Sequence, residues 1–383
     1  LFPYTTLFRS IRSKLGVSLS GTKYVPDSTI ALGINFAVVI ATSGKEEAFN
    51  ANMMLNFEFA RTGGLQRIRL AGYANIMAPI SWEGPSCEGI SIKVVMEYTS
   101  SEANNGQGGK FVAKAMVFVN MDNIKGGTTI TPDMLGTTGA FSELYIGATE
   151  CTQLHYAGGI DMLFSRDDWH IWVGVPGRIP NAPFPYTPIS LLMDLSKGDE
   201  QAGGAVRVMA QTYFNIGTSI LPFPGLPPRV EQLVGLGNIL QSESERASGR
   251  GFAFGMNLVV ENKVNLIGIL SASFILDVGF DIMLQKYQNI TCVNNDDKPL
   301  GINGWYAAGQ AWAYVEGNLK VLGFTVLNAA LAAAIQIKGP NPTYGRGAVA
   351  GRYSVLGGLK KGQFRFPLQF GFECETEGGG SPS

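Results

Sequence analysis

The chain of 383 residues carries 29 basic and 30 acidic side chains and two histidines, a net charge of -1. That balance excludes the basic footprint of a nucleic-acid or anionic-membrane-surface binder. A hydrophobic share of 45% excludes a disordered chain, while charged residues at 15% against a usual ~25%, with 49 glycines, set it apart from an ordinary soluble domain.

The first ten residues, Leu1 to Ser10, resemble the translation of a sequencing-library adapter, and position 1 is not Met. The expectation is a non-native scar at 1–10 on a fragment whose natural start lies upstream. From there the dominant signal is period two. Leu32, Ile34, Phe36, Val38 and Ile40 alternate with Gly33, Asn35 and Ala37, and Phe49 to Phe59 alternate with Asn50, Asn52, Asn56 and Glu58. Val206, Val208, Ala210, Phe214 and Ile216 oppose Arg207, Gln211, Tyr213 and Asn215. Phe252 to Val260, Leu266 to Phe280, Leu327 to Ile337 and Phe364 to Phe372 repeat the pattern. Successive strand side chains point to opposite faces, so each run predicts a strand with one apolar face hidden in a core. The other face is rich in Gly, Ala, Ser and Asn, which predicts close approach of another layer or a surface of modest polarity.

Helical signal is scarce. Pro227 and Pro228 followed by Arg229 to Val234 predict a helix running towards Glu245, and Ile189 to Leu195 predict one or two further turns. Prolines concentrate between Pro176 and Pro228. The predicted organisation is an N-terminal β region (11–175), a Pro-rich and partly helical insertion (176–248), a C-terminal β region (249–376) and a flexible tail (377–383). The fold class is all-β, mainly antiparallel: an extended or closed multi-stranded sheet assembly. No uninterrupted apolar run reaches the ~20 residues of a membrane helix.

Chemistry-bearing motifs are few. Cys87, Cys151, Cys292 and Cys374 form no CxxC pair, and four cysteines allow three complete disulfide pairings. Cys374 lies on the phenylalanine face, which predicts a buried thiol. Around His170, a strand places Asp168, His170 and Trp172 on one face and Trp169 and Ile171 on the other, a candidate aromatic platform that also suits a packed loop-to-strand junction. Two histidines disfavour a multi-His metal site. Nucleophile elbows, phosphate loops, dinucleotide fingerprints and zinc-protease motifs are absent, so no catalytic, cofactor or metal residue is predicted and the chain reads as a non-enzyme. Residues 304–316 place Tyr306, Gln310, Trp312, Tyr314 and Glu316 on one face and Trp305 on the other. Trp169, Trp172, Trp305, Trp312 and Tyr314 are therefore the candidate ligand or partner surface, with core packing the competing fate of the ladder.

The passages Asp168 to Pro176, Tyr213 to Gly217, Gly279 to Leu284, Gly301 to Ala307 and Lys338 to Pro342 together resemble large β-rich surface or secreted proteins of Bacteroidetes-type bacteria. The resemblance implies a secreted, structural segment of a longer polypeptide and carries no catalytic residue with it. The expected role is a non-enzymatic structural or adhesion segment at the cell surface or outside the cell. Its partners would be neighbouring domains of the longer chain, other surface proteins or glycans, with no nucleic acid. An outer-membrane β-barrel is the alternative, since alternation, Gly and aromatics all suit one. Against it stand the Pro-rich middle, the helix and off-faces with few charges. A carbohydrate-binding module is the second alternative.

Overall fold

The computed structural model describes residues 30–42, 48–77, 89–119, 128–130, 151–154, 156–174, 191–199, 204–218, 220, 224–237, 250–266, 269–287 and 290–375. The predicted scar, the prolines between Pro176 and Pro185 and the tail lie outside them. The strands are β1 (Ile30–Ala41), β2 (Phe49–Ala60), β3 (Leu65–Ile76), β4 (Ile90–Thr99), β5 (Lys110–Val119), β6 (Thr128–Ile130), β7 (Cys151–Leu154), β8 (Tyr156–Phe164), β9 (Trp169–Val173), β10 (Leu191–Asp199), β11 (Gly204–Gly217), β12 (Gly251–Leu266), β13 (Leu270–Lys286), β14 (Thr291–Cys292), β15 (Lys298–Pro299), β16 (Trp305–Val321), β17 (Phe324–Gly339), β18 (Tyr344–Val355) and β19 (Lys360–Gly371). One α-helix, α1 (Pro228–Val234), and two 3-10 turns (Val293–Asn295 and Leu356–Gly358) accompany them among the described residues. The all-β, antiparallel class expected from the alternation is the observed one.

The chain divides into two compact units. The first holds residues 30–119, 151–152 and 159–169, and the second holds 128–130, 153–158 and 170–375. In the first, β1 to β5 form an antiparallel meander in sequence order. In the second, the order is β10-β11-β12-β13-β16-β17-β18-β19, again antiparallel, with residues 170–173 of β9 beside the end of β11. Both orders are linear, with β1 at an edge of the first and β19 at an edge of the second.

Cross-strand partners share a face, so the register sorts every side chain in the second unit. One row set joins Gln211, Asn257, Gly279 and Trp312, and a neighbouring one joins Asp281, Gln310, Gln336, Arg346 and Gln369. The opposite face carries Phe214, Phe254, Ile282, Leu331, Val349, Phe366 and Leu368. The polar face is the buried one: Gln310, Gln336, Asn257, Asp277 and Asp281 are all within the interior. The apolar face is the open one, with Phe366 66% exposed, Leu331 48% and Ile282 44%.

The first unit repeats this arrangement. Its inward face links Asn50, Asn75 and Ser91 through hydrogen bonds of 2.9 Å each and pairs Arg67 with Glu58 at 3.0 Å. Its other face leaves Leu32, Phe36 and Val38 exposed. The expectation that the apolar rows are hidden in a core is therefore corrected. No described element of the chain covers them, and the interior is built from the polar rows instead.

Glycines on this sheet have a specific partner. Tyr213 lies opposite Gly255, Trp312 opposite Gly279, Phe370 opposite Gly345, Phe364 opposite Gly351 and Tyr353 opposite Gly362. At each glycine an added Cβ would collide with the ring across the strand pair. The ring thus lies flat over bare backbone, covering peptide groups that a glycine leaves open.

Two local expectations are corrected. Residues 191–195 belong to strand β10, because pairing with Thr212 to Val208 of β11 overrides the weak local helical signal. The helix after Pro227 stops at Val234, where Gly235 adopts the left-handed conformation (φ 61°) and its N–H donates to Glu231 O at 2.6 Å. Strands β16 and β17 are joined by a turn at Leu322 and Gly323, both at positive φ.

Replacing Gly345 by Leu is expected to lower stability by about 1–3 kcal/mol, read from the denaturant midpoint. Combined with Phe370→Ala, the loss should be less than the sum of the two single losses. Strict additivity would refute the role given to the ring–glycine pairs.

Candidate functional site

The inward face of the second unit is where this chain concentrates its polar chemistry. On β13, Asp277 and Asp281 share the inward side of the pleat, and both are buried. Asp277 accepts from Asn257 Nδ2 at 2.7 Å and from Trp312 Nε1 at 2.9 Å. Asp281 accepts from Tyr213 OH at 3.1 Å and from Gln310 Nε2 at 2.7 Å. Gln310 also donates to the carbonyl of Pro224 at 2.8 Å, tying the Pro-rich approach to α1 onto the sheet. Each carboxylate accepts from two side-chain donors, which offsets part of the cost of keeping it away from water.

Above this network, α1 lies against the small residues of the same face. Val230 and Val234 are fully buried, with Leu226 and Leu236 beside them, against Trp312, Tyr314, Ala330, Ala332, Ala334, Ala348 and Ala350. The alanine rows let the helix approach closely, which answers the expectation of another layer over the off-face. The exit of α1 is pinned from the sheet: Arg365 Nη2 donates to Gly235 O at 3.1 Å and Arg346 Nη2 to Gly237 O at 3.0 Å. At one end of the strands, Lys338 is 1% exposed and pairs with Glu373 at 2.8 Å. Nearby, a disulfide joins Cys292 to Cys374, corrected from the buried thiol expected at Cys374. The reason is that residues 372–375 leave the sheet and fold back on the 290–300 segment, where Val293 N–H donates to Glu375 O at 2.8 Å. The side chains of Cys87 and Cys151 lie outside the described residues.

The residues singled out in the sequence do not assemble into one surface. Trp312 and Tyr314 share the inward face, at 4% and 2% exposure, and pack under α1; Tyr314 OH donates to Glu316. Trp305 points to the opposite face, in register with Lys286. Trp172 stacks on His170, ring centroids 3.8 Å apart and nearly parallel. Trp169 is exposed, next to the turn in which Ser165 N–H and Oγ both donate to Asp168 O. The ladder at 305–316 is thus a packed one, and the predicted aromatic surface of Trp312 and Tyr314 is corrected: they face the interior. The network around Asp277, Asp281, Asn257 and Gln336 was missed. Its signal was available, since Asn257, Asp277, Asp281 and Gln336 all fall on the parity opposite the large apolar rows of their strands.

The network leaves little open space within it. The space between Gln211, Tyr213, Asn257 and Asp281 is about 10 Å³, roughly one water molecule. Among the described residues, no group of His, Cys, Asp and Glu is disposed to hold a metal ion. No protein-family model matches the chain, and a search of curated proteins returns no match.

Val234→Asp places a charge under the helix against Ala332 and Trp312 and should cost about 3 kcal/mol or more. The expected readout is an earlier unfolding midpoint with a red-shifted tryptophan emission that disappears in a Trp312→Phe background. An unchanged midpoint would mean that α1 is not packed on the sheet.

Proposed function

We propose that this chain is a membrane-embedded β-protein of the outer-membrane barrel type, with its apolar sheet face towards lipid and its polar face, partly filled by α1, towards the interior. The inversion of burial carries this reading: polar rows inside and phenylalanine, leucine and valine rows outside, maintained through successive strands of both units. In water this costs about 25 cal/mol for each Å² of apolar surface left exposed, whereas in lipid it costs nothing.

Three further features support it. The outward rows of β11, β12, β13, β16, β17, β18 and β19 hold charged side chains only at Lys286 and Lys360, both at strand ends. The outward row of β13 from Leu270 to Leu284 is about 48 Å long at ~3.4 Å per residue. Tilted by ~45°, it spans about 34 Å, close to the ~30 Å hydrocarbon thickness of a bilayer. The Cys292–Cys374 disulfide suits an oxidising compartment beyond the cytosol.

The features that argued against a barrel on sequence grounds take a different meaning here. The segment before α1 and the helix itself fill the interior side, so few lumen charges are needed. Spanning a membrane also demands that no strand edge be left in hydrocarbon, so β1 and β19 must both find pairing partners there. A purely structural or adhesive role in water would need a second layer over the apolar rows, and the described residues supply none.

The test is refolding of the urea-unfolded full chain by dilution into short-chain phosphatidylcholine vesicles. The expected outcome is β-rich circular dichroism and protease resistance with vesicles, and aggregation without them. Phe366→Arg, at the middle of the outward row, should reduce the folding free energy in vesicles by about 2–4 kcal/mol. Gln363→Arg, on the inward face of the same strand, should leave it nearly unchanged. A chain that stays monodisperse in detergent-free buffer, or two variants that behave alike, would overturn the reading.

A further inference from the structure

At one end of the second unit two chain segments close over the inward face, and they are held in different ways. The first is the β14–β15 hairpin, in which Cys292 pairs with Lys298. It is fastened to the β17–β18 turn through Asn341. Asn295 Nδ2 donates to Asn341 Oδ1 at 3.1 Å, Asn341 Nδ2 to Pro299 O at 3.0 Å, and Gly301 N–H to Asn341 O at 2.8 Å. Cys292 and Leu300 are buried with Tyr287 and Tyr306, so this segment also has an apolar seat of its own.

The second is the strap of residues 372–375. The β18–β19 ladder ends at Gly371, whose φ of 70° is left-handed and where an added Cβ would run into Thr343 O, and the chain turns out of the sheet there. The contacts beyond it are polar. Phe372 N–H donates to Thr343 O at 3.3 Å, Asn294 Nδ2 to Glu373 O at 2.7 Å, Glu375 N–H to Asn294 Oδ1 at 3.0 Å, and Val293 N–H to Glu375 O at 2.8 Å. Phe372, Glu373 and Glu375 are exposed and Cys374 is half-buried, so water can replace these bonds at small cost. The covalent tie between strap and hairpin is Cys292–Cys374. Beneath the strap stands Lys338, on the inward face in register with Ala308 and Tyr344, 1% exposed and paired with Glu373 at 2.8 Å.

We propose that the Cys292–Cys374 disulfide is a redox-operated latch on this strap. Oxidised, it keeps residues 372–375 over Lys338 and closes this end of the polar face. Reduced, the strap lifts from Gly371 while the hairpin stays on its Asn341 contacts, and the lysine meets water. A dithiol reductant operates it. One of its thiolates attacks Cys374, the less buried of the two cysteines, forming a mixed disulfide and expelling Cys292 as a thiolate that takes up a proton. The second thiol then displaces Cys374 and closes the reductant's own disulfide, so two electrons and two protons pass to the protein. The latch stands on the inward side of one unit and does not require that the outward face meets lipid.

Amine labelling of the full chain tests it, with the N-hydroxysuccinimide ester of acetic acid as the probe and peptide mass spectrometry as the readout. The protein is kept in whichever medium, detergent or buffer, leaves it folded, so failure of the membrane reading leaves this measurement intact. In the oxidised chain Lys338 should stay unmodified while the exposed Lys360 reacts. After treatment with dithiothreitol, removed before labelling, Lys338 should react about tenfold or more faster, with Lys360 unchanged. The double variant Cys292→Ser with Cys374→Ser should behave like the reduced chain. Glu373→Gln with the disulfide intact should keep Lys338 protected, because the bond rather than the ion pair retains the strap. Circular dichroism of every sample should remain β-rich. Protection of Lys338 in both the reduced chain and the double variant, its labelling in oxidised Glu373→Gln, or loss of the sheet on reduction would overturn the latch.

Discussion

Period two couples the faces of this sheet to one another. Because partners across a strand pair share a face, putting Gln310 inside puts Asp281 and Gln336 inside with it, and turns Ala311, Ile282 and Ile335 outward. The assignment passes from β11 to β19 through hydrogen-bonded neighbours, interrupted only by the irregularity at Leu319 and Lys320. A slip of one residue at any pair would drive a phenylalanine row against α1 and strand buried amides and carboxylates on the opposite surface. The rest of the structure follows from that constraint.

An interior built from polar rows depends on its hydrogen bonds. Asp277 and Asp281 accept from side chains of three different strands, which makes the network a clamp across β11, β12, β13 and β16. A buried carboxylate held in this way is costly to disturb, because each lost donor leaves an unpaired polar group in a poorly hydrated place. Beside the clamp the strategy changes. Alanines on β17 and β18 give up side-chain volume so that α1 can seat Val230 and Val234 directly on the sheet. One face therefore contains two zones: a hydrogen-bonded clamp and a helix seat. Aromatic rings laid over glycines, Trp312 on Gly279 inside and Phe364 on Gly351 outside, close the backbone on both sides.

The existence of the strands and their two faces was legible in the sequence, from residues such as Leu327 to Ile337 and Phe364 to Phe372, because side-chain parity is a local property of an extended chain. The scarcity of helix and the start of α1 at its prolines were legible for the same reason. Which face is interior was not. The alternation of Phe364, Phe366, Leu368 and Phe370 is identical whether the greasy row meets a protein core or lipid, and the parity of Asp277 with Gln310 becomes a network only once β13 and β16 are paired. The fates of Trp312, Trp305 and Cys374 were likewise decided by partners distant in sequence: the helix at 228–234, the strand at 270–286 and the cysteine at 292. Sequence by itself determined a two-faced antiparallel sheet, since that depends on neighbours along the chain. Only the tertiary structure decided that the polar face lies within and the apolar face without, since burial is set by what each face packs against.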